Sequence, residues 1–205
     1  MFILSLKGNQ MGIVDILVKQ CRKPEGILGN IMMKSFDAIN EGFFDWALNL
    51  VEKSDGKILD IGCGSGKTVY KLARRFNNSI VCGIDYSNDA VKVSKKVNKI
   101  FIERKKVEIL QASVEEIPFR DNLFDYIFAI RTHYFWNNLE LACREIFRKL
   151  KREGKFIIIS ENYKIQYHMS SYNTDDSLNT LLLDIGFSSV ELIKKDKSIC
   201  IIARK

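Results

Sequence analysis

With 205 residues, of which 46% are hydrophobic and 28% charged, the chain has the composition of one globular domain. Two prolines and twelve glycines exclude a collagen-like segment and a flexible linker, and no apolar run reaches the roughly 20 residues of a membrane-spanning helix. Five scattered cysteines without a CxxC pair, together with only two histidines, disfavour a disulfide framework and a zinc site. The amino-terminal residues lack the pattern of a signal peptide, so we expect a cytoplasmic protein without a bound metal ion.

The net charge of +7 raises the question of a nucleic-acid partner. Many basic residues fall on two predicted helices, which is the usual arrangement of solvated outer faces. They are Lys92, Lys95, Lys96 and Lys99 on one helix and Arg144, Arg148, Lys149, Lys151 and Arg152 on and just after the other. No basic and aromatic module typical of RNA recognition accompanies them. Nucleic acid is therefore the less favoured partner.

The first predicted element is an amphipathic helix over residues 35–52. Its apolar side chains recur at helical spacing: Phe36, Ile39, Phe43, Trp46 and Leu50. We assign residues 1–52 to a helical N-terminal extension of the domain and residues 53–205 to the domain proper. Residues 1–10, which precede a second methionine at Met11, are expected to be a start-site extension.

From residue 57 onward, short apolar runs alternate with helical patterns. Strands are predicted over residues 57–62, 79–85, 107–111, 124–130 and 155–159, with helices over 68–76, 88–101 and 139–150 between them. Ser87 is placed to cap the second of these helices. A helix over 177–183 and two strands, 190–193 and 199–202, follow. The alternation predicts an α/β fold of three layers, with a mostly parallel seven-stranded sheet that ends in an antiparallel hairpin.

A glycine-rich turn follows the first strand, where Asp60 precedes Gly62, Gly64 and Gly66. Alternating glycines allow a tight turn and a close approach of the backbone to a ligand, and the next helix directs its free amides at that ligand. A phosphate-binding P-loop would need glycine at position 61, and the dinucleotide fingerprint would need it at position 67. Isoleucine and lysine stand there instead. The pattern that fits in full is a strand ending in an acid, followed by GxGxG.

With this loop and the order of motifs after it, the chain resembles the class I, Rossmann-like methyltransferases of the small-molecule type, over about residues 55–203. The resemblance implies that S-adenosylmethionine is the cofactor and that S-adenosylhomocysteine is the product. It implies methyl transfer to an O, N, C or S atom of a small-molecule acceptor. It also implies a Rossmann-like sandwich for the predicted sheet and helices.

The resemblance assigns two carboxylates and a loop to the cofactor. Gly62, Cys63 and Gly64 correspond to the loop under the methionine part, and Asp60 to the acid that holds this loop and the bound amino acid. Asp85 corresponds to the carboxylate that accepts hydrogen bonds from both ribose hydroxyls. A diol offers two donors and a carboxylate can accept both with charge assistance, so the residue type suits this role.

The adenine end is assigned on the same basis. Tyr86 is placed to pack on the ring, and Ser113 stands where the family has an acid that accepts from the adenine amino group. The hydroxyl of Ser113 and the amide of Val114 are the expected contacts there. Ile130, at the end of the fourth strand, completes the predicted cofactor site.

Residues 131–136 occupy the place where cofactor sulfur and acceptor meet in the family. We predict that His133 or Tyr134 takes a proton from the acceptor or orients it. A base is needed only where the nucleophile must lose a proton. Because a single histidine often serves packing alone, a structural role for His133 is the alternative.

Three other functions remain open from the sequence. A nucleic-acid methyltransferase is favoured only by the net charge. An NAD-dependent oxidoreductase on a related fold is disfavoured by Asp60 before the glycines and by Lys67 in place of a third fingerprint glycine. A non-catalytic cofactor-binding protein is the third, because cofactor retention and turnover are separate properties. The sequence leaves the acceptor, the attacked atom and the oligomeric state undetermined.

Overall fold

The computed structural model describes residues 41–51 and 55–205. The helices are α1 (Glu41–Leu50), α2 (Lys67–Arg75), α3 (Asn88–Val97), α4 (Lys99–Glu103), α5 (Leu139–Lys149), α6 (Asn162–His168) and α7 (Asp175–Ile185). The strands are β1 (Lys57–Ile61), β2 (Ile80–Asp85), β3 (Val107–Gln111), β4 (Phe124–Ile130), β5 (Leu150–Glu161), β6 (Ser189–Lys195) and β7 (Ser198–Arg204). A short 3-10 turn, His133–Phe135, lies between β4 and α5.

The seven strands form one sheet in the order β3-β2-β1-β4-β5-β7-β6. Strands β1 to β5 pair in parallel, whereas β7 runs antiparallel to both β5 and β6. This confirms the predicted Rossmann-like fold with its closing hairpin. The chain winds outward in both directions from the neighbouring strands β1 and β4, and open α/β sheets bind ligands at the carboxyl ends of strands at such a switch point.

Helices cover both faces of the sheet. On one face, α2 and α3 bury Leu72 and Val91, and α1 adds Phe44 and Leu48. On the other face, α5 and α7 bury side chains such as Ile146. Strands enclosed on both faces carry continuous apolar runs, which is why β4 was recognisable from its sequence.

The helix predicted over 35–52 is present as α1, while its residues 35–40 and 52 lie outside the described ranges. Residues 1–10, for which a start-site extension was predicted, lie outside them too. The division at residue 52 therefore stays a prediction.

Several element boundaries differ from the predictions. The helix predicted over 88–101 is broken at the fully buried Asn98, whose side-chain amide donates to the carbonyls of Gly66 and Ser94, 3.0 Å away in both cases. Such side-chain bonds to the backbone compete with helix continuation.

Strand β5 begins at Leu150, and its register shifts before the pairing of Lys155 with Tyr126. Ser87 caps α3 as predicted, since its hydroxyl accepts from the amide of Ala90.

The hairpin strands and α7 extend a few residues beyond their predicted bounds. Within the described ranges, no helix is long and apolar enough to cross a membrane. Four cysteines in these ranges are buried free thiols: Cys63, Cys82, Cys143 and Cys200.

Candidate active site

The glycine loop adopts a backbone that favours glycine at three positions. Gly62, Gly64 and Gly66 have φ angles of +69°, +51° and +80°, in the left-handed region that residues with a Cβ rarely adopt. The amides of Gly62 and Cys63 both donate to the carbonyl of Ile84, at 2.8 and 3.0 Å, and so tie the loop to β2. The alternating glycines are thus required by the turn itself.

The surroundings of these glycines differ. A Cβ added to Gly62 would lie 2.9 Å from the Cβ of Thr132 and closer still to its hydroxyl. The loop therefore touches the segment after β4. A Cβ on Gly64 would meet no atom of the described residues within 4 Å. The space beside Gly64 is open to a ligand.

Asp60 is a buried carboxylate with an unused oxygen. The residue is 2% exposed, and its Oδ2 has no hydrogen-bond partner among the described residues. Burial, and secondarily repulsion from Asp85, raises the pKa of Asp60 to about 8. A buried polar atom left without a partner is unfavourable, so this oxygen is suited to a ligand that donates to it or carries positive charge.

Asp85, at the end of β2, links the loop to the start of α3. Its Oδ2 accepts from the amide of Gly64 at 2.9 Å, and its Oδ1 accepts from the amide of Ser87 at 2.8 Å. Burial raises the pKa of Asp85, and these two backbone hydrogen bonds oppose that rise. Since each carboxylate oxygen has two lone pairs, the carboxylate retains capacity for two more donors.

The loop after β3 lies beside Asp85. The amide of Ala112 donates to the carbonyl of Asp85 at 3.1 Å, and the next residues along the chain are Ser113, half-buried, and Val114, buried. Tyr86, which was predicted to pack on a ligand ring, is 61% exposed. The structure thus gathers the predicted adenine-side residues at one edge of the sheet.

Beyond the buried Ile130, the segment after β4 begins with Arg131 at a φ of +57°. Its guanidinium donates to Glu161 at the end of β5 through two nitrogens, with N to O distances of 3.0 and 2.9 Å. Their side chains are only 7% and 11% exposed. The ring of Phe43 from α1 lies 5.6 Å from the guanidinium. Sequence reasoning missed Glu161, whose only signal was its position after an apolar run.

His133 is 1% exposed, and neither ring nitrogen has a hydrogen-bond partner among the described residues. Burial lowers its pKa to about 3. The imidazole is consequently neutral at physiological pH and is a poor base, although one ring nitrogen can still donate a hydrogen bond and the other can accept one. The environment of His133 therefore favours a role in orienting the methyl acceptor over a role in removing a proton from it.

Tyr134 stacks on His168 of α6, with ring centroids 5.2 Å apart and planes at 11°. It also meets the ring of His133 edge-on at 5.2 Å. His168 was not predicted to belong to the site. The packing instead makes it one wall of the aromatic cluster around Tyr134.

Comparison with known proteins agrees with this geometry. A family model described as a methyltransferase domain matches residues 59–158. The uncharacterized methyltransferase YdaC of Bacillus subtilis is 25% identical over 187 residues, which cover 87% of this chain and 98% of YdaC. The ubiquinone/menaquinone biosynthesis C-methyltransferase UbiE of Rickettsia akari is 32% identical over 158 residues, covering 74% of this chain and 61% of UbiE.

Solved structures share the fold. A Methanococcus maripaludis protein assigned to the S-adenosyl-L-methionine-dependent methyltransferases has a TM-score of 0.72 at 22% identity, with 98% of this chain and 97% of that chain covered. An S-adenosylmethionine-dependent methyltransferase of Aquifex aeolicus has a TM-score of 0.64, also at 22% identity, with 78% and 87% covered.

Residues 59–158 are a methyltransferase domain, and the chain shares the fold of the class I methyltransferases. Its cofactor is S-adenosylmethionine, and the reaction is transfer of the cofactor's methyl group. The oxidoreductase alternative, which the glycine spacing already disfavoured, has no support from the family match.

Proposed function

We propose that this enzyme methylates a small molecule and that Asp60, Asp85 and the glycine loop hold the cofactor. Three features support the cofactor site: the unpartnered Oδ2 of Asp60, the remaining lone pairs of Asp85, and the open space beside Gly64. In this proposal, Asp60 receives the amino group of the methionine part and Asp85 receives the ribose hydroxyls. When bound, S-adenosylmethionine supplies an electrophilic methyl group on a positively charged sulfur.

The other predicted contacts complete the proposal. Cys63 contributes its backbone and a small side chain to the loop under the methionine part. Its buried thiol has a pKa raised well above the usual range, mainly by burial, and is not a nucleophile. Tyr86 covers the adenine from the solvent side, while Ser113, Val114 and Ile130 line the site.

The contact between Gly62 and Thr132 is the observation that carries the acceptor assignment. Thr132 lies against the glycine loop, so an acceptor bound beside the following residues His133 and Tyr134 would lie next to the cofactor. We infer that the neutral imidazole of His133 hydrogen-bonds the acceptor and holds its nucleophilic atom in line with the methyl group. Such positioning removes much of the entropic barrier of a displacement.

A small acceptor suits the aromatic side chains of this region, since small-molecule pockets are mostly apolar with few placed polar groups. The names of relatives point the same way: UbiE is a C-methyltransferase of quinone biosynthesis, and a Pyrenophora dematioidea relative is an O-methyltransferase. The acceptor class is tested by incubating the protein with labelled S-adenosylmethionine and a cell extract. Label that enters RNA and no small molecule of the extract would contradict the proposal.

Binding of S-adenosylhomocysteine tests the cofactor site. At a hundredfold excess over its dissociation constant, this ligand is expected to stabilise the protein by about 2.7 kcal/mol, which raises the thermal midpoint by about 5–10 °C. Asp85→Asn, which halves the acceptor capacity of the side chain, should abolish the shift. Asp89→Asn is the control: it removes the same charge from a residue of α3 that is paired with Lys92, and this variant should show the full thermal shift. A midpoint raised by NAD or ATP instead would refute the assignment.

Replacing His133 tests whether its polar atoms serve a ligand. His133→Leu is expected to raise the free energy of unfolding of the ligand-free protein by about 1 kcal/mol at pH 7, because it removes buried polar atoms that have no partner in the described part of the chain. Below pH 6.5 the unfolded histidine binds a proton, whereas the native one does so only near pH 3. As the pH falls below 6.5, the free energy of unfolding of the wild type therefore decreases, relative to that of the variant, by up to about 1.4 kcal/mol per pH unit.

Urea denaturation between pH 7 and pH 5 measures both effects. His168→Leu is the matched control, since it removes an imidazole from a half-buried position and should change stability and its pH dependence less. A His133→Leu protein that is less stable than the wild type at pH 7 would show that the imidazole is a structural group.

A further inference from the structure

The positive charge of the chain is concentrated between the last turn of α3 and the start of β3. Residues 95–106 contain five lysines, one arginine and one glutamate, and so carry +5 of the net charge of +7. The rest of the chain is nearly balanced. The excess charge therefore belongs to one short segment and not to the surface as a whole.

Most cations of this segment have no counter-charge. Lys99 pairs with Glu103 at 3.8 Å, and Nζ of the half-buried Lys106 lies 5.8 Å from the ring centre of Phe101. Four exposed residues have no acidic partner within 4 Å among the described residues: Lys95, Lys96, Arg104 and Lys105. On α5, by contrast, Arg144 pairs with a carboxylate.

The fold brings the two ends of the segment together. The turn before β3 folds back on α4, because the amides of Lys105 and Lys106 donate to the carbonyls of Ile102 and Phe101, both at 2.9 Å. Burial, and secondarily repulsion from Arg104, lowers the pKa of Lys106. The cations of the turn and of the helices thus form one surface.

Two apolar side chains are exposed within this surface. Val97, the last residue of α3, is 39% exposed, and Ile100 of α4 is 49% exposed. None of the residues of α4 is buried. Exposed apolar side chains surrounded by unpaired lysines are typical of a surface that lies on an anionic membrane, where the apolar groups enter the interface and the cations remain at the headgroups.

The surface lies away from the cofactor site. It leads into the first residue of β3, Val107, which pairs with Val81 near the start of β2. Asp60 and Asp85 lie at the other ends of their strands, because they are in the last two positions of β1 and β2. A partner bound at residues 95–106 would consequently leave the glycine loop uncovered.

We propose that residues 95–106 bind the surface of an anionic lipid bilayer, with Val97 and Ile100 in the interface and the unpaired cations against the headgroups. The charge of the segment is complementary to such a surface. Single-stranded RNA is less suited, since it stacks its bases on exposed aromatic rings. Phe101, the aromatic residue of the segment, is half-buried and packs edge-on against Tyr70, with ring centroids 5.3 Å apart.

Sedimentation with lipid vesicles tests the electrostatic part of the proposal. We expect the full chain to bind vesicles that contain phosphatidylserine, to bind phosphatidylcholine vesicles far more weakly, and to dissociate as salt is added. Lys95→Gln/Lys96→Gln should weaken binding by about 20-fold, since each basic residue near an anionic membrane contributes about fivefold. Lys195→Gln/Lys197→Gln is the control. It removes the same charge from exposed residues around the turn between β6 and β7, at the other edge of the sheet, and should bind as the wild type does.

Ile100→Ser tests the apolar part. This variant should bind the phosphatidylserine vesicles about tenfold more weakly, because the side chain no longer enters the interface. Leu141→Ser is matched to it, since Leu141 on α5 is 48% exposed, and should retain wild-type binding. All four variants should bind S-adenosylhomocysteine as the wild type does, which shows that they are folded and that the result is independent of the proposed cofactor site.

Three outcomes would overturn the membrane proposal. The first is a wild type that does not bind the phosphatidylserine vesicles, or that binds phosphatidylcholine vesicles equally well. The second is unchanged vesicle binding in Lys95→Gln/Lys96→Gln or in Ile100→Ser. The third is a wild type that retains single-stranded RNA on a filter but does not bind vesicles, which would assign the surface to nucleic acid.

Discussion

Gly66→Ala is expected to lower the free energy of unfolding by about 3 kcal/mol, the largest stability effect of any single substitution proposed for this chain. The φ of +80° at Gly66 places a Cβ in a strained region, which costs about 1–2 kcal/mol. The added atom would also lie 2.6 Å from Nδ2 of Asn98 and 2.9 Å from the Cα of Ser94. Overpacking of this kind costs a further 1–3 kcal/mol or so.

The neighbours of Gly66 have little room to move. Asn98 and Ser94 are both fully buried, and the side chain of Asn98 is anchored to the carbonyl of Gly66 itself. Urea denaturation of the ligand-free protein measures the change. Gly42→Ala in α1, where a Cβ meets nothing described within 4 Å, is the control and should stabilise the protein slightly because alanine favours helix. Equal stability of Gly66→Ala and the wild type would contradict this, because it would mean that Asn98 and Ser94 move aside for the added methyl group without cost.

Gly64→Ala should separate binding from folding. The φ of +51° at Gly64 again imposes about 1–2 kcal/mol of strain, but the added Cβ meets no described atom within 4 Å. Stability should consequently fall much less than in Gly66→Ala. The space that the methyl group takes is the space we assign to the cofactor. We therefore expect the affinity for S-adenosylhomocysteine to fall by about 100-fold, which corresponds to about 2.7 kcal/mol.

Calorimetric titration at a temperature where both proteins are fully folded measures this affinity. Gly42→Ala again serves as the control, since it adds the same methyl group far from the loop in sequence and should bind as the wild type does. Wild-type affinity in Gly64→Ala would place the cofactor away from the glycine loop. The Asp85 assignment would then fail with it.

Patterns local in the chain were sufficient to predict most of the fold. Strands β3 and β4 have the predicted bounds. The pattern of β4 is an almost continuous apolar run, whereas β3 is a short apolar segment in which Glu108 is exposed. The glycine loop was recognisable because alternating glycines after an acid are rare outside ligand-binding turns. Ser87 was recognised as a cap because capping depends on a few neighbouring residues.

Features that depend on residues distant in the chain required the folded molecule. The break between α3 and α4 arises because Asn98 reaches Gly66, 32 positions earlier. The pairing of Arg131 with Glu161 follows from the adjacency of β4 and β5. The sequence placed His133 near the acceptor, but only burial away from described polar partners lowers its pKa and changes its expected role from base to orienting group. Sequence patterns report the period and composition of an element, whereas desolvation and hydrogen-bond direction depend on what the rest of the fold places around a side chain.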